Sequence, residues 1–180
     1  RDRSPSRGLG DVYKRQHSLG YRKQYDLNSI MVVLTNLYGP NDNFNKDSSH
    51  VVAALIRRFY EAKKNNVKEV LVWGDGNATR DFSYIEDIAE GIILSAENYN
   101  ESLPINLASG RETSIKELAE IIKKKMNYEG NLRWDTEMPV GPNRRNVSID
   151  LAREKIKFNP KISLEDGIEK TIDFFMSLKK

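Results

Sequence analysis

Short apolar runs alternate along the chain with longer segments in which apolar residues recur every three to four positions. The runs predict β-strands at residues 30–34, 70–73, 104–107 and 132–134. The periodic segments predict amphipathic helices at residues 50–64 and 85–96 and after the capping residues Ser114 and Ser163. A short helical stub is expected at residues 17–25. Because strands alternate with helices throughout, the predicted fold class is α/β.

The stretch at residues 30–58 joins a predicted strand, a loop and a helix. Residues 35–40 are expected to end the strand with the turn dipeptide Gly39-Pro40, and the helix that follows is flanked by residues typical of helix caps. The expected caps are Ser48 and Ser49 at its start and Asn65 and Asn66 at its end. Ligands of open α/β sheets bind beyond the carboxyl ends of strands, so we expect the chemistry to lie in this stretch.

Two helical faces are predicted to be buried. The helix at residues 50–64 is expected to bury Val51, Val52, Leu55, Ile56 and Phe59. The helix at residues 85–96 is expected to bury Ile85, Ile88, Ala89, Ile92 and Ile93. Its first turn also carries Glu86 and Asp87, which we interpret as a charge pair at a helix start without a catalytic role.

Composition narrows the function classes. The 180 residues are 38% hydrophobic and 31% charged, which is typical of a globular protein, and no apolar run approaches the ~20 residues of a membrane span. The chain has no cysteine, which agrees with a cytoplasmic location without fixing it. Two histidines without clustered ligand spacing favour no metal site. The net charge of +3 is spread over helices that also carry glutamate, so we expect no nucleic-acid partner.

Motifs along most of the chain resemble the GDP-L-fucose synthase family, extended short-chain dehydrogenase/reductases that act on nucleotide sugars. They are Asn36-Leu37-Tyr38-Gly39-Pro40-Asn41-Asp42-Asn43-Phe44, Ser49-His50-Val51, Leu55-Ile56-Arg57-Arg58, Trp73-Gly74-Asp75-Gly76, Thr79-Arg80-Asp81-Phe82, Glu86-Asp87 and Arg144-Arg145. The resemblance covers about residues 21–180. The Asn-Leu-Tyr-Gly-Pro and Arg-Asp-Phe motifs are shared with many nucleotide-sugar epimerases and dehydratases, whereas Asn-Asp-Asn-Phe followed by Ser-Ser-His and Arg-Arg is more discriminating.

The resemblance implies that residues 17–180 are the C-terminal half of a Rossmann-type enzyme, including its small substrate-binding domain. The Gly-rich loop of the nucleotide-binding half is absent from the sequence, and so is the family's Tyr-x-x-x-Lys at its expected place. Tyr60 and Lys64 lie on an amphipathic helix, and we attribute the similar spacing there to coincidence. Residues 1–16 lack apolar periodicity and are predicted to be non-native or disordered, with a basic targeting arm as the alternative.

His50 is the catalytic residue that the resemblance implies. Imidazole exchanges protons near neutral pH, and the matching histidine of the family serves in epimerisation beside the nicotinamide. Its usual partner there is a cysteine, which this chain cannot supply. The alternative is a surface or capping histidine. The resemblance implies NADP as the cofactor, and it assigns cofactor contacts to His50 and to Leu34, Thr35, Asn36 and Leu37. The family often has proline in place of Leu34.

The resemblance implies substrate contacts at Arg58, Arg80 and Arg145. The chemistry agrees, because guanidinium groups pair with phosphate oxygens through two hydrogen bonds. The alternative is three surface arginines. Trp73 ends a predicted strand beside a glycine turn and is either a substrate contact or a core residue. Val140 is a departure, since the related enzymes carry a substrate-binding aspartate there.

The function implied for the intact protein is conversion of GDP-4-keto-6-deoxy-D-mannose to GDP-L-fucose by 3,5-epimerisation and NADPH-dependent reduction at C4. The partner would be a nucleotide sugar, with no membrane partner, and the intact protein would be a homodimer. We expect this chain alone to be inactive. The alternatives are a UDP- or dTDP-sugar epimerase or dehydratase, a non-catalytic nucleotide-sugar-binding module and, last, nucleic-acid binding through the basic N-terminus.

Overall fold

The computed structural model describes residues 6–138 and 141–179, and it confirms the α/β class. The helices are α1 Ser6–Tyr25, α2 Val51–Lys64, α3 Ile85–Asn98, α4 Ile115–Lys125, α5 Asp150–Ile156 and α6 Leu164–Ser177. The strands are β1 Val32–Leu34, β2 Asn36–Tyr38, β3 Glu69–Trp73, β4 Thr79–Tyr84, β5 Ile105–Leu107, β6 Glu112–Ser114, β7 Asn131–Asp135 and β8 Arg144–Arg145. All four strands expected from apolar runs are present.

The strands pair mainly in parallel. β1 pairs with β5, β2 with β4, and β3 with β7, each in parallel, while β4 also pairs antiparallel with β6 and parallel with β8. On either side of Thr35 the chain therefore pairs with different strands, with β5 before it and with β4 after it. The turn expected at Gly39 and Pro40 is present, and the N–H of Asp42 donates to the Gly39 carbonyl at 3.3 Å. Before it, Asn36–Tyr38 forms a strand that was not predicted, and its partner lies more than forty residues away in sequence.

Helix α2 packs as its apolar pattern predicts, but it begins differently. Val52, Leu55, Ile56 and Phe59 are buried. Its N-cap is His50 and not Ser48 or Ser49, so the predicted capping hydroxyls are wrong. The Ser48 hydroxyl instead accepts a hydrogen bond from Asn43 Nδ2 at 2.8 Å, which takes it away from the helix end.

The other predicted caps are present. Asn65 is the C-cap of α2, and Asn66 follows with a φ of 53°, a left-handed conformation that asparagine tolerates. The hydroxyl of Ser114 accepts from the backbone N–H of Glu117 at 3.0 Å. The hydroxyl of Ser163 accepts from the backbone N–H of Asp166 at 3.1 Å. These caps could be predicted because both partners lie within one helical turn.

The buried face predicted for α3 is wrong apart from Ile88. Ile92 and Ile93 are 44% and 58% exposed, and Ile85 and Ala89 are exposed as well. The helix buries a face of small and polar residues instead: Asp87, Ile88, Gly91 and Ser95. A Cβ on Gly91 would lie 2.8 Å from the Phe158 ring, so a glycine is what lets the helix approach its neighbours.

Two apolar clusters form the core. The larger joins α2, α4 and α6 with β2, β3 and β4, and the smaller joins α3 and α5 with β5. Helix α1 begins at Ser6, well before the stub expected at residue 17, so residues 6–16 are helical where the sequence suggested no structure. The division of the chain at residue 17 stays a prediction. None of the helices described is both long and apolar enough to cross a membrane.

Candidate functional site

A cleft of about 620 Å³ opens between the start of α2, the turn after β3 and the start of β4. Five of the predicted site residues line it, and they come from four separate elements: Asn36, His50, Arg58, Trp73 and Arg80. The sequence separates Asn36 from Arg80 by more than forty positions, and the pairing of β2 with β4 brings them together. The structure therefore unites most of the predicted site in one place.

His50 occupies the N-cap of α2 with an extended backbone, φ −77° and ψ 168°. Its carbonyl oxygen accepts the first helical hydrogen bond, from the N–H of Ala54 at 2.8 Å, but its side chain makes no capping hydrogen bond. The imidazole is exposed and lines the cleft. The capping role that was its alternative is thus performed by the backbone, which leaves the ring available to a ligand.

Arg58 and Trp73 form one wall of the cleft. The guanidinium carbon of Arg58 lies 5.2 Å from the centroid of the Trp73 ring, and Arg58 Nη1 donates to the carbonyl of Leu71 at 2.9 Å. Burial, and then the charge of Arg57, lower the pKa of Arg58, although a guanidinium stays charged at neutral pH. Trp73 is 45% exposed, which excludes the alternative of a core residue.

Arg80 and Arg145 are neighbours across β4 and β8. The two are paired residues in a parallel ladder, and Arg80 Nη1 donates to the carbonyl of Thr79 at 2.7 Å. Arg145 is exposed and is not among the described residues that line the cleft. Arg144 turns to Glu112, which accepts from it at 2.9 and 2.8 Å. These bonds, with one from Thr79, lower the pKa of Glu112 to about 2.

The four consecutive residues predicted to contact the cofactor differ in their surroundings. Only Asn36 lines the cleft, and its Nδ2 donates to the carbonyl of Asp81 at 2.9 Å. Thr35 shares a hydrogen bond of 2.8 Å with the hydroxyl of Ser83. Leu34 is 39% exposed, and Leu37 packs against the smaller core cluster. Any role for Thr35 and Leu37 would therefore run through their backbone groups.

Asp81 is the acceptor of a buried hydrogen-bond network that the sequence did not reveal. Its carboxylate is fully buried, and Oδ1 accepts from Ser83 and from both the N–H and the hydroxyl of Ser109, each at 2.9 Å. Its Oδ2 accepts from the N–H of Gly110 at 2.8 Å. An aspartate inside a strand was the only sequence signal, and its donors other than Ser83 lie more than twenty-five residues away.

The remaining predictions from the sequence concern residues outside the cleft and the absence of a metal site. Tyr60 packs edge-on against Phe175 at 5.3 Å, and the coincidental nature of its spacing to Lys64 stays a prediction. Asp87 and Glu86 lie in the first turn of α3, as expected, and Asp87 accepts the backbone N–H groups of residues 161 and 162. Val140 lies outside the described residues. The part of the chain that is described holds no group of three or more potential metal-ligating side chains.

Comparison with known proteins gives one consistent result. The model of the NAD dependent epimerase/dehydratase family matches residues 13–108. GDP-L-fucose synthase 1 of Arabidopsis thaliana is 42% identical over 157 residues, which are 87% of this chain and 48% of the relative. GDP-L-fucose synthase of Escherichia coli is 37% identical over 166 residues, covering 87% of this chain and 51% of the relative. The chain thus spans about half the length of the curated relatives it matches.

Among solved structures, a GDP-L-fucose synthetase from Naegleria fowleri bound to NADP superposes with a TM-score of 0.83. It is 28% identical, and the match covers 92% of this chain and 53% of that one. The fold around the cleft is therefore shared with an enzyme whose crystals contain NADP.

Proposed function

Because the chain belongs to the NAD dependent epimerase/dehydratase family, we propose that it is the C-terminal, substrate-binding part of a GDP-L-fucose synthase-like enzyme. The proposed reaction of the intact protein converts GDP-4-keto-6-deoxy-D-mannose to GDP-L-fucose by epimerisation at C3 and C5 and reduction at C4. The curated relatives named GDP-L-fucose synthase support this choice of substrate. Residues 17–180 would form the substrate-binding part, in a homodimer when intact.

The observation that carries the proposal is the convergence of His50, Arg58 and Arg80 on one cleft. Two guanidinium groups on different elements can neutralise a diphosphate and orient it by paired hydrogen bonds. Hydrogens on C3 and C5 are acidic because they flank the C4 carbonyl, and each inversion removes a proton from one face of the sugar and returns one to the opposite face. His50 would serve one face, and the family's cysteine, which these 180 residues do not contain, would serve the other. His50 is the histidine that lines the cleft, and imidazole is the side chain best suited to proton transfer.

The residues present fit only the nicotinamide end of NADP. Leu34 offers an exposed apolar side chain at the end of β1, and Asn36, two residues further along the chain, lines the cleft with His50. The sequence contains no Gly-rich loop for the pyrophosphate. When bound, NADPH supplies the hydride that reduces C4. Since these 180 residues lack the loop and the family's Tyr-x-x-x-Lys, we expect them alone not to oxidise NADPH with a keto sugar.

Nucleotide binding tests the proposal directly. Isothermal titration calorimetry of this chain should show GDP binding more tightly than UDP or dTDP. Tighter binding of UDP or dTDP would favour the alternative, an epimerase or dehydratase acting on those sugars. No binding of any of the three would overturn the nucleotide-sugar function. A non-catalytic binding module would bind GDP yet keep full turnover in the intact protein after His50→Ala.

A further inference from the structure

The cleft wall at the end of β3 continues into a turn of fixed shape, formed by residues 74–77. The backbone N–H of Gly74 donates to the carbonyl of Asp135 at 2.7 Å, and the carbonyl of Gly76 accepts from the N–H of Lys116 at 3.0 Å. Gly74 and Gly76 have φ angles of 84° and 82°, a conformation that favours glycine. The turn is therefore held between the end of β7 and the start of α4.

Asp75 lies in the middle of this turn and lines the cleft with an exposed side chain. Its Oδ1 accepts from the backbone N–H of Asn77 and its Oδ2 from Asn77 Nδ2, each at 2.9 Å. These two hydrogen bonds lower the pKa of Asp75, so the carboxylate is ionised at neutral pH. A carboxylate has about four acceptor positions, so two remain for a ligand after Asn77 has donated. The cleft thus contains an oriented carboxylate with acceptor positions to spare.

The same cleft has apolar side chains that suit a flat ring. Val51, Leu55 and Val72 line it together with Trp73. Nucleotide bases stack on aromatic side chains because every base has a π-face. Trp73 lies two residues before Asp75, so their Cα atoms are at most about 7 Å apart. A base that stacks on Trp73 therefore lies within reach of the Asp75 carboxylate.

We propose that Asp75 selects guanine among the nucleotide bases by accepting hydrogen bonds from its N1–H and its 2-amino group. The proposal rests on the proposed function, because its ligand is the nucleotide of that site. Guanine presents these two donors side by side on one edge, and they match the two oxygens of a carboxylate. Uracil and thymine place a carbonyl oxygen on each side of their single N–H, and a carboxylate repels those oxygens. Asp75 therefore both attracts GDP and disfavours UDP and dTDP.

Asp47 is a second aspartate in the cleft and provides the matched comparison. It lies on the loop before α2, where its backbone N–H donates to Asn45 Oδ1 at 3.0 Å. Both aspartates are exposed and carry the same charge. Asp75 differs in its place beside Trp73 and in the two hydrogen bonds that orient its carboxylate. Asp47→Asn therefore removes the same charge from the same cleft without changing the group proposed to contact the base.

The test is calorimetric titration of this chain with GDP, UDP, inosine diphosphate and xanthosine diphosphate. The wild type should bind GDP about tenfold more tightly than inosine diphosphate, which lacks the 2-amino group and so loses a hydrogen bond to a charged acceptor. Asp75→Asn should weaken GDP binding by about tenfold or more for the same reason. It should strengthen binding of xanthosine diphosphate, because an amide accepts from N1–H and also donates to the carbonyl at C2 of xanthine.

Asp47→Asn should keep the wild-type order of the four nucleotides and gain no binding of xanthosine diphosphate. Asp75→Ala should lose the preference for GDP over UDP without that gain, since its side chain has no hydrogen-bonding atom. The gain in Asp75→Asn also shows that this variant is folded, because an unfolded chain has no site for either nucleotide.

An unchanged order of affinities in Asp75→Asn would overturn the proposal. Weaker GDP binding without a gain for xanthosine diphosphate would overturn it too, because Asp75 would then act through its charge alone, as would an equal gain in Asp47→Asn. The proposed function fails in a different way, already in the wild type, if that chain binds UDP or dTDP more tightly than GDP or binds none of the three.

Discussion

Arg80 and Arg145 are direct partners across the parallel strands β4 and β8, so their side chains leave the sheet on the same face. The neighbouring pair, Thr79 and Arg144, faces the other way and is held by Glu112. Glu112 therefore ties β8 to β4 on one face of the sheet, at the position where Arg145 leaves β8 on the opposite face. Arg145 is exposed and does not line the cleft among the described residues, so its contact with the substrate stays a prediction.

Removing Arg80 should weaken GDP binding by roughly ten- to a hundredfold, since a charged hydrogen bond contributes about 1.5–3 kcal/mol. Arg80→Lys should recover only part of the loss, because an ammonium keeps the charge without the planar fork. Calorimetric titration with GDP measures both. The control is Arg133→Ala, an exposed arginine paired with Glu69 on the sheet formed by β3 and β7, which should bind GDP as the wild type does.

The hydrogen bonds that Glu112 accepts from Arg144 and Thr79 should weaken in acid. The folded-state pKa of Glu112 is about 2, below its ordinary value near 4.5, because Arg144 and Thr79 bond its ionised form. Its stabilising contribution is therefore complete above about pH 4.5 and is lost as the pH falls towards 2. Thermal unfolding from pH 2.5 to 7 should show a shallower acid decline for Glu112→Gln than for the wild type. The exposed Glu120→Gln on α4 should keep the wild-type profile.

The elements that could be predicted from the sequence depend on contacts within one helical turn or one strand. The buried face of α2 and the caps at Ser114 and Ser163 are such cases. Strand β2 was missed because its partner is β4, far along the chain, and the short strands β6 and β8 were missed for the same reason. The buried face of α3 was missed because Gly91 and Ser95 have too little apolar surface to mark it.

The site shows the same division. His50, Arg58, Trp73 and Arg80 were predicted through family motifs, and only the fold shows that they share one cleft. Asp81 could not be found in this way, because a buried carboxylate is recognised by its donors, and Thr35, Ser83 and Gly110 donate to it from three separate segments.

Asp81→Asn should lower the free energy of unfolding by about 2–4 kcal/mol. The new amide would point an N–H group at the donors of Ser109 or Gly110, leaving buried groups unpaired. Urea denaturation followed by circular dichroism measures the change. Asp173→Asn, on the exposed side of α6, is the matched control and should change stability by less than about 0.5 kcal/mol. A loss equally small for Asp81→Asn would contradict the network described around it.

Gly167→Ala should destabilise the protein by about 1–3 kcal/mol, because the added methyl would collide with the hydroxyl of Tyr38 and lie 2.9 Å from the ring of Tyr84. Adding Tyr38→Phe to Gly167→Ala should recover part of the loss by removing that hydroxyl. Gly20→Ala on α1 has no atom within 4 Å of the new methyl and should be neutral or slightly stabilising. Equal effects at the two glycines would show that the α6 contact is not tight.

GDP binding should quench tryptophan fluorescence through Trp73, which is half-exposed in the cleft beside Arg58. The chain has two tryptophans, so Trp73→Phe and Trp134→Phe form a matched pair. The first variant should lose most of the GDP-dependent signal and bind more weakly, since stacking on an aromatic face contributes about 1–3 kcal/mol. The second should retain the signal, because Trp134 lies on β7 and packs against the larger core cluster.

Arg58→Ala distinguishes the role of Arg58 from that of Trp73 in the cleft wall that the two residues form. The substitution removes the guanidinium group that contacts the Trp73 ring and the carbonyl of Leu71. The Trp73 ring therefore loses a packing partner, and the cleft loses a positive charge. We expect weaker GDP binding and, without ligand, a red-shifted emission of Trp73 as water reaches the freed face. Unchanged emission with weakened binding would mean that Arg58 acts on the phosphates alone and that Trp73 is held by the backbone of β3.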